Sequence, residues 1–586
     1  MFEAEQKQIE AQILAFLKAL DLPANPVQWS WIPFSGHWGI STSFFQTAAS
    51  EARQKGEKTN VGARAQEIAG AVAAHLGNPV GFERLEAVRG YLNLYFSPAE
   101  YARRVIDTVL EQGSHFGESD KKNERVMVEF SQPNTHKAFH VGHLRNVILG
   151  DTVCNILTAA GFEVVRANYI GDIGLHVIKW LWNYMKRHSG EQPPADTMRW
   201  ISELYVEASK RFEESPEQEA EVRALFGEWD RGDPALRHLW SQTRQWSMVG
   251  FEQVYKLLGV RFDTFYFESE EEEPGKKMVE SLIAKGIARD ERPKGAVIVP
   301  LDDLLGTREK FRVLVVLRSD GTSLYSTKDL ALAVKKFEQH NLTRSIYVID
   351  VRQSLYMQQI YQTLELAGYT WAKNCYHLAY EIVNLPGNVT IASREGAVVL
   401  LEDLVREAKQ RALEIVRTKN PELADEKQQA VALAVALGAI KYSMVSRDNT
   451  KIVTFDWDAA LDFNGQAAPY IQYACVRGTS ILRKAGGTIP PALTPAVDLM
   501  PVEVELIELI SRVPKEVQRA ASEYRPLYVA SLAYELARAF NDFYNQCPVI
   551  QAEKPVRDFR LRLVAAARQA ITNCLALLGI QTPDVM

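Results

Sequence analysis

The sequence has few cysteines and no close pair of them. Cys154, Cys375, Cys475, Cys547 and Cys574 are odd in number, widely spread and set among apolar neighbours, and no CxxC spacing occurs. Disulfide frameworks and cysteine zinc sites both depend on paired spacings. The pattern therefore favours buried free thiols over either kind of site.

Long apolar runs and a large excess of charge of one sign are also missing. No stretch approaches the roughly 18 uninterrupted apolar residues of a membrane helix. The first residues, MFEAEQKQIEAQILAFLKALDLP, resemble an acidic amphipathic helix more than a signal peptide. The net charge of -6 argues against a surface coated in basic residues for indiscriminate nucleic-acid binding, although it is compatible with a local basic surface. We therefore expect a cytoplasmic protein without a membrane association.

Length and composition indicate several globular domains. The chain has 586 residues, and at roughly 100 to 200 residues per domain this predicts about three or four domains. Hydrophobic residues make up 47% of the chain and charged residues 24%, close to the averages of globular proteins. Disordered and fibrous classes are therefore excluded.

The front of the chain, residues 1–118, predicts an α+β domain. It begins with helical periodicity and ends with the alternating apolar residues Leu92, Leu94 and Phe96, which after Gly90 predict a strand. The polar, charged segment GSHFGESDKKNE follows, and it places a domain boundary near residue 120.

Residues 119–454 have the pattern of a Rossmann-like domain with a parallel sheet. Four apolar runs, RVMVEF, FEVVRANYI, KFRVLVVLR and RSIYVIDV, each end in a polar loop that leads into a helix. Ligands of such sheets bind beyond the carboxyl ends of the strands. Residues from about 177 to 285 have helical spacing and predict a helical insertion. In residues 455–586 the strand runs cease, and apolar residues three and four apart predict an all-α C-terminal bundle.

The segment SQPNTHKAFHVGHLRN places three histidines around a lysine where the first strand leads into a helix. The first N–H groups of that helix lack partners and its dipole favours an anion, so we expect a phosphate there. Gly142 allows close approach, His140 and His143 can donate hydrogen bonds, and Lys137 adds a positive charge.

Two other interpretations of this segment compete with a phosphate site. A zinc site would need further ligands, and Lys137 inside the cluster would repel a cation, so no metal site is predicted. Alternatively, the histidines are exposed or structural residues at a helix start. HxGH is short, and the segment alone does not separate this interpretation from a phosphate site. In the phosphate interpretation we expect His136 to be peripheral to the nucleotide.

Longer stretches of sequence carry a family resemblance. HVGH between a strand and a helix resembles the HIGH signature of class I aminoacyl-tRNA synthetases, and VEFSQPNTHKAFHVGHLRN resembles arginyl-tRNA synthetases in particular. Further matches follow in order: NYIGDIGLH, RSDGTSLYSTKDLA, DVRQSLYMQQI, LGAIKYSMVSRD, YIQYACVRGTSILRK and LALLGIQTPDVM. The resemblance spans essentially the whole chain, which is far more specific than one motif. It implies an arginine–tRNA ligase that acts on L-arginine, tRNA(Arg) and ATP with its Mg2+, and we expect a monomer.

The side chain of arginine is planar and cationic with five donors, so its pocket needs carboxylate and carbonyl acceptors. Tyr325 and Asp329 are four residues apart and would share one face of a helix, and Gln353 ends the next strand run. The resemblance places these three residues at arginine-binding positions of the family. The other residues expected at the amino acid are Glu129, Gln132, Asn134 and His143.

The second signature of the class, KMSKS, corresponds by resemblance to VTIASREG. Thr390 stands where the first lysine would be, Ala392 and Ser393 follow, and Arg394 is the only basic residue left. Losing a cationic donor of this kind costs on the order of 10² to 10³ in rate. Lys137 is the expected substitute, as it is thought to be in this family, while Ser393 and Arg394 are expected at the ATP. Smaller departures from the family pattern are Gln132 for serine, His176 for glutamine and Tyr356 for histidine.

The C-terminal bundle resembles the anticodon-binding domain of the family, and the front domain resembles the part that touches the tRNA elbow. An aromatic and amide mixture suits unstacked bases, although these aromatics are also suited to a bundle core. Two alternatives to a ligase remain: a nucleotidylyltransferase with the same HxGH signature, and a noncatalytic paralogue that binds tRNA. The residues expected at tRNA are Tyr470, Gln472, Tyr473 and Arg477.

Overall fold

The computed structural model describes residues 3–32, 38–56, 58–137, 139, 141–214, 216–385, 389–390, 400–495 and 498–586. It divides into two compact units, each built from three stretches of the chain. The first unit comprises Met1–Phe116, Tyr473–Pro514 and Leu532–Asn573, and the second comprises Gly117–Gln472, Lys515–Ser531 and Cys574–Met586. The C-terminal part of the chain therefore contributes to both units.

The N-terminal part of the first unit contains an antiparallel sheet and four helices. Its elements are α1 (Glu3–Ala19), β1 (Ser30–Trp31), β2 (Gly39–Ser43), α2 (Phe45–Lys55), α3 (Val61–Leu76), β3 (Phe82–Val88), β4 (Tyr91–Phe96) and α4 (Pro98–Gln112). The strand order is β1-β2-β4-β3. Arg89 and Gly90 join β3 to β4 with φ of 51° and 84°, the geometry of a tight hairpin turn that matches the twist of the strands. The predicted alternation along β4 is confirmed, because Leu92, Leu94 and Phe96 are all buried.

The second unit is built around a five-stranded parallel sheet of order β12-β11-β5-β6-β7. The carboxyl ends of β5, β6 and β11 therefore lie at one edge, where ligands of such sheets bind. The elements up to the middle of the unit are β5 (Arg125–Glu129), α5 (Val141–Ala159), β6 (Glu163–Ile170), α6 (Leu175–Arg187), α7 (Thr197–Glu214), α8 (Pro216–Asp230), α9 (Pro234–Leu258), β7 (Thr264–Phe267), α10 (Glu272–Ala284), β8 (Arg289–Asp290), β9 (Val297–Pro300) and α11 (Leu301–Leu305). Those that follow are β10 (Val313–Leu317), α12 (Tyr325–His340), β11 (Arg344–Asp350), α13 (Ser354–Leu366), β12 (Cys375–Tyr380), β13 (Val383–Leu385), β14 (Val389–Thr390), α14 (Leu401–Lys419), α15 (Asp425–Val445), β15 (Val453–Thr454) and α16 (Trp457–Ala460).

Two details of the predicted sheet are wrong. The run KFRVLVVLR forms β10, which pairs antiparallel with β9 in a separate three-stranded sheet. Val313 and Val315 of β10 are exposed while Leu314 and Val316 are buried, so the strand is covered on one face only. Conversely, β7 lies inside the stretch predicted as a helical insertion, yet it is an edge strand of the parallel sheet.

The helical insertion itself consists of α6 to α9. Its core is aromatic: the ring of Trp180 stacks on Tyr184 at 5.3 Å between centroids, and Trp200 contacts both Trp180 and Trp246 edge to face. Aromatic pairs of this kind contribute beyond their buried area. The insertion therefore has a hydrophobic core of its own.

The C-terminal region is helical, as the sequence predicts. Its long helices are α17 (Ala468–Lys484), α18 (Pro501–Glu523), α19 (Leu527–Gln546) and α20 (Lys554–Leu577). One helix of the described chain, α15, has the length and apolar composition of a membrane span, but 67% of that span is buried inside the protein. That burial is typical of a core helix.

Candidate active site

The loop that joins β5 to α5 has a strained backbone. Ser131, Gln132 and His136 have φ of 78°, 47° and 59°, the left-handed region that residues with a side chain rarely adopt. Each such residue costs on the order of 1 kcal/mol or more and persists only where its surroundings hold it. Strain of this density suggests a loop shaped for a ligand.

Two asparagines hold this loop in place. The Oδ1 of Asn146, on α5, accepts a hydrogen bond from the Ser131 N–H at 2.6 Å, and its Nδ2 donates to the carbonyl of Val348 at 2.8 Å. The Oδ1 of Asn168, on β6, accepts from the Gln132 N–H at 3.1 Å. The loop is thus tied to α5, called the signature helix here because it carries Gly142 and His143 of the HxGH sequence, and to the strands β6 and β11.

His136 is buried in the loop between β5 and α5. Its Nδ1 lies 2.9 Å from the hydroxyl of Thr135 and its Nε2 lies 2.8 Å from the hydroxyl of Thr243 on α9. Burial lowers the pKa of His136 to about 3, so the imidazole stays neutral. His136 therefore links α9 of the helical insertion to the loop between β5 and α5.

The predicted phosphate-binding residues lie partly within the described chain. Gly142 and His143 occupy the first turn of α5, and the His143 ring lies 5.0 Å from that of Phe139. The first-turn N–H groups of this 19-residue helix are suited to an anion. His140, Ser393 and Arg394 lie outside the described residues.

Lys137 has an unusual environment for a lysine. Its Nζ lies 5.4 Å from the centre of the Tyr205 ring on α7. Burial, and then the nearby charge of Lys179, lower the pKa of Lys137. An ammonium group that gains little from water and faces a second cation is suited to receive an anion.

Arg145, on α5, is a site residue that sequence reasoning missed. Its guanidinium is buried and donates to the carbonyls of Glu381, Lys451 (2.8 Å) and Asp448 (3.2 Å). Burial lowers the pKa of Arg145 to about 10. The three carbonyls belong to segments that enter β13 and β15, so Arg145 fixes these segments against the signature helix.

The acidic end of the site centres on Asp329. The sequence placed Tyr325 and Asp329 on one face of a helix, and α12 confirms that helix. The hydroxyl of Tyr356 donates to Asp329 Oδ2. By resemblance, Tyr356 stands at a position where histidine is common. Burial, with the negative charges of Glu129 and Glu268, raises the pKa of Asp329 to about 7 against the pull of that hydrogen bond.

Asp329 differs from the neighbouring acids in its partners. Three buried glutamates each pair with a lysine of α12, the helix that carries Asp329. The pairs are Glu268–Lys328, Glu271–Lys335 and Glu129–Lys336. Within the described part of the chain Asp329 forms no ion pair. It is therefore the acid in this group whose charge is not compensated.

The remaining predicted amino-acid contacts surround this cluster. The Oε1 of Glu129 accepts from Gln132 Nε2 at 3.0 Å. Asn134 bridges to Gly171 through its backbone, and a Cβ at position 171 would lie only 2.3 Å from Asn134 Oδ1. Tyr325 is exposed at the start of α12, and Gln353 is exposed in the short turn after β11. Glu268, also missed from the sequence, is buried beside Asn134 and Gly171, and burial raises its pKa.

The candidate RNA contacts divide into two groups. In the first unit, Arg477 donates to Asn541 Oδ1 and its guanidinium carbon lies 5.0 Å and 4.9 Å from the ring centres of Tyr473 and Tyr544. In the second unit, Gln472 is fully buried, and its amide donates to the carbonyls of Ala434 (3.2 Å) and Gln581 (2.7 Å). A buried amide with these partners is not presented to an RNA base.

Comparison with known proteins agrees with this geometry. The family model described as the catalytic domain of class I (R) tRNA synthetases matches residues 105–457, and the DALR anticodon binding domain matches residues 471–586. The arginine–tRNA ligase of Bdellovibrio bacteriovorus is 35% identical over 89% of each chain, and that of Clostridium perfringens is 34% identical over 88% of this chain and 90% of its own. The structure of Thermus thermophilus arginyl-tRNA synthetase matches with a TM-score of 0.78 and 27% identity, covering 99% of this chain and all of the other.

The parallel sheet, the HxGH sequence that opens the helix after its first strand, and the helical C-terminal region define a class I aminoacyl-tRNA synthetase. Within that class the matches are specific in both sequence and structure. The chain belongs to the arginyl-tRNA synthetase family.

Proposed function

We propose a role for each candidate site residue of this chain in the arginine–tRNA ligase reaction. The activity has two steps. The carboxylate of arginine attacks the α-phosphorus of ATP, which forms arginyl-adenylate and releases pyrophosphate. A hydroxyl of the terminal tRNA ribose then attacks the adenylate carbonyl carbon and releases AMP. The uncompensated carboxyl of Asp329 is the observation that carries the assignment of the amino-acid site.

In this proposal Asp329 receives the guanidinium of the substrate. A single unpaired carboxyl among charge-paired neighbours accepts one cation, and two parallel N–H groups fit its two oxygens. Tyr325, one turn earlier on α12, covers the guanidinium plane, and Glu268 lies close enough to act on the charge of Asp329. A pocket of this kind rejects analogues that leave its polar groups unpaired.

The same proposal assigns the other end of the amino acid. Asn134 lies in the loop between β5 and α5 and bridges to Gly171, and the amide of Gln132 bonds to Glu129. His143 belongs to the set proposed to hold the amino and carboxylate groups, whereas Gln353 is proposed at the guanidinium with Tyr325 and Asp329. The remaining members of the set are Glu129, Gln132 and Asn134.

Catalysis in the first step is proposed to depend on positioned cations and donors around the phosphates. Lys137 supplies the positive charge, while His140, Gly142, His143, Ser393 and Arg394 contribute N–H, hydroxyl and guanidinium donors. The segment VTIASREG contains a single basic residue, and this supports the assignment of the main positive charge at the phosphates to Lys137. Mg2+ is expected to arrive with ATP. Among the described residues no group of three or more histidine, cysteine or acidic side chains is gathered to hold a metal ion.

For the tRNA we propose a surface of the first unit around Tyr473 and Arg477, in which the aromatic rings of the Arg477 cluster stack on bases. Tyr470, in the second unit, stays a separate prediction. Gln472 is left out because of its burial. We further propose that the enzyme works as a monomer in the cytoplasm, without a membrane. The domain boundaries at residues 118 and 454 stay predictions.

The experiment is a charging assay with arginine and tRNA, run on the wild-type protein and on Lys137→Ala. We expect the variant to lose charging by at least about 10², while tRNA binding changes less than twofold, because Lys137 acts on the phosphates of ATP. ATP–pyrophosphate exchange with arginine should appear only when cognate tRNA is added. Tight tRNA binding without any wild-type charging would instead identify a noncatalytic paralogue, and full exchange without tRNA would contradict the tRNA requirement.

A further inference from the structure

The ion pair between Lys336 and Glu129 is buried at the end of the amino-acid site. Lys336 is 1% exposed and Glu129 is 3% exposed, and the lysine Nζ bonds to Glu129 Oε2. The rings of Tyr347, Tyr266 and Tyr169 surround the ammonium, with centres 4.9 Å, 5.6 Å and 5.8 Å from Nζ. The ammonium therefore meets one carboxylate and three aromatic faces instead of water.

A buried ion pair is a costly way to fill this space. Removing two charges from water is unfavourable, and apolar residues of similar volume are often at least as stabilising. Stability alone therefore gives no reason for the pair.

The position of the pair suggests a different reason. Glu129 raises the pKa of Asp329, whereas Lys336 lowers it, so the two charges act on this carboxyl in opposite directions. Asp329 and Lys336 are seven residues apart on α12, two turns along one face of the helix, and with both charges of the pair present their effects on Asp329 oppose each other. With one removed, the other acts alone across a desolvated site.

We propose that Lys336 is a specificity-determining residue, which cancels the charge of Glu129 so that the pocket offers the single negative charge of Asp329. Such a pocket accepts a monocation of the shape of arginine. It rejects the neutral ureido isostere, citrulline, whose carbonyl oxygen would face the Asp329 carboxylate. The inference rests on the proposed binding of the guanidinium by Asp329.

The test compares arginine with citrulline in ATP–pyrophosphate exchange, with cognate tRNA present. In Glu129→Gln the charge of Lys336 is unopposed, so the pocket is neutral overall. A unit charge acting over several ångströms at an effective dielectric constant of about 20 changes binding by roughly 10- to 100-fold. We expect kcat/KM for arginine to fall by that factor, while that for citrulline stays level or rises.

The double variant Glu129→Gln/Lys336→Met supplies the decisive result. It removes both charges, so we expect it to recover at least about tenfold of the arginine-to-citrulline ratio that Glu129→Gln loses. If the ion pair is purely structural, the arginine-to-citrulline ratio stays at the wild-type value in the single and the double variant alike. A purely contact role of Glu129 at the amino and carboxylate groups, which both substrates share, predicts that kcat/KM falls equally for arginine and citrulline and that their ratio does not change. Either outcome overturns the inference.

Two further variants separate the possible failures. Lys335→Gln changes the adjacent lysine of α12, which pairs with Glu271, and should keep the wild-type ratio. If Asp329→Asn keeps the preference for arginine, the proposed guanidinium site itself is wrong, whatever Lys336 does. Both substrates are measured on one preparation, so the ratio does not depend on the folded fraction. Lys336→Arg, which keeps the charge, should keep the preference if Glu129→Gln fails to fold.

Discussion

At the scale of single residues, the surroundings of one carboxyl, that of Asp329, make its ionisation unfavourable. Burial and two acidic neighbours raise the pKa of Asp329 to about 7, although the Tyr356 hydroxyl stabilises the anion. A substrate guanidinium would remove that penalty by pairing with the charge. The proposed binding of arginine therefore needs an ionised carboxylate at position 329, whereas the stability of the folded protein favours a neutral group there.

Asp329→Asn is expected to stabilise the protein while it abolishes arginine activation. Because the folded-state pKa is raised, ionisation costs stability progressively as the pH rises from about 4 to about 7, and the full cost is present above pH 7. A neutral amide removes this cost, by on the order of 1 to 2 kcal/mol. Thermal unfolding at pH 8 measures the gain, which should vanish as the pH falls towards 4. Asp303→Asn, at an exposed carboxyl paired with Arg289, is the matched control and should change neither property. A loss of stability at pH 8 would contradict the assignment.

The affinity for arginine should depend on pH through the same group. Below pH 7 the Asp329 carboxyl becomes protonated and offers no charge to an incoming guanidinium, so kcat/KM for arginine should fall towards tenfold per pH unit. KM for ATP should not follow this profile. A profile for arginine that is flat between pH 6 and pH 8 would show that another group binds the guanidinium.

At the scale of elements, α5 serves as the part to which the rest of the site is attached. Asn146 holds the strained loop before the helix, and Arg145 holds the segments that enter β13 and β15. The backbone N–H of Leu401, at the start of α14, also donates to the carbonyl of Phe139 at 3.3 Å. The helix and the loop before it thereby fix several segments of the second unit against one another.

Arg145→Leu should disrupt this arrangement. The substitution removes the arginine donor from the carbonyls of Glu381 and Lys451 and one of the two donors of the Asp448 carbonyl, which keeps the Lys451 N–H. A group left unsatisfied away from water costs about 1 to 3 kcal/mol. We expect lower stability in urea and a kcat/KM for ATP reduced by more than the folded fraction explains. Arg145→Lys, which keeps the charge, should retain part of both. Arg406→Leu, at an exposed arginine of α14, should match the wild type.

Much of the architecture follows from local sequence, whereas the paired charges do not. β5, β6 and β11 were predicted because each is a short apolar run followed by a helical pattern. The run of β10 is equally apolar, and periodicity alone does not separate a strand buried on both faces from one that alternates. Asp329 was found by its spacing from Tyr325 and by family resemblance. Lys336 and Arg145 were missed because their partners lie 207 and 236 residues away, beyond any spacing argument.

At the scale of the whole molecule, the C-terminal helices take part in both compact units. The candidate tRNA residues illustrate the difference between the two settings. Arg477 lies in an aromatic cluster of the first unit, whereas Gln472, five residues earlier, is buried in the second. Sequence order along one helix therefore does not predict which side chains can meet the RNA.

Arg477→Ala should weaken tRNA binding while leaving the affinity for arginine unchanged. The guanidinium contacts two aromatic rings, and its loss removes both a phosphate partner and an ordered stacking face, worth about 1 to 3 kcal/mol. A filter-binding measurement should show a Kd raised roughly tenfold or more. Arg483→Ala, at an exposed arginine of the same helix, should have less than half that effect in free energy. Equal effects would indicate general electrostatic attraction instead of a built surface.

The main-chain anchoring of Arg145 has a consequence for how the sequence can vary. Its acceptors are carbonyl oxygens, which every amino acid supplies, so the side chains of Glu381 and Lys451 play no part in these bonds. A saturation library screened for growth on this enzyme should accept many substitutions at these two positions and almost none at position 145. The contacts of Arg145 therefore do not produce co-variation between positions, and only position 145 itself is restricted in sequence.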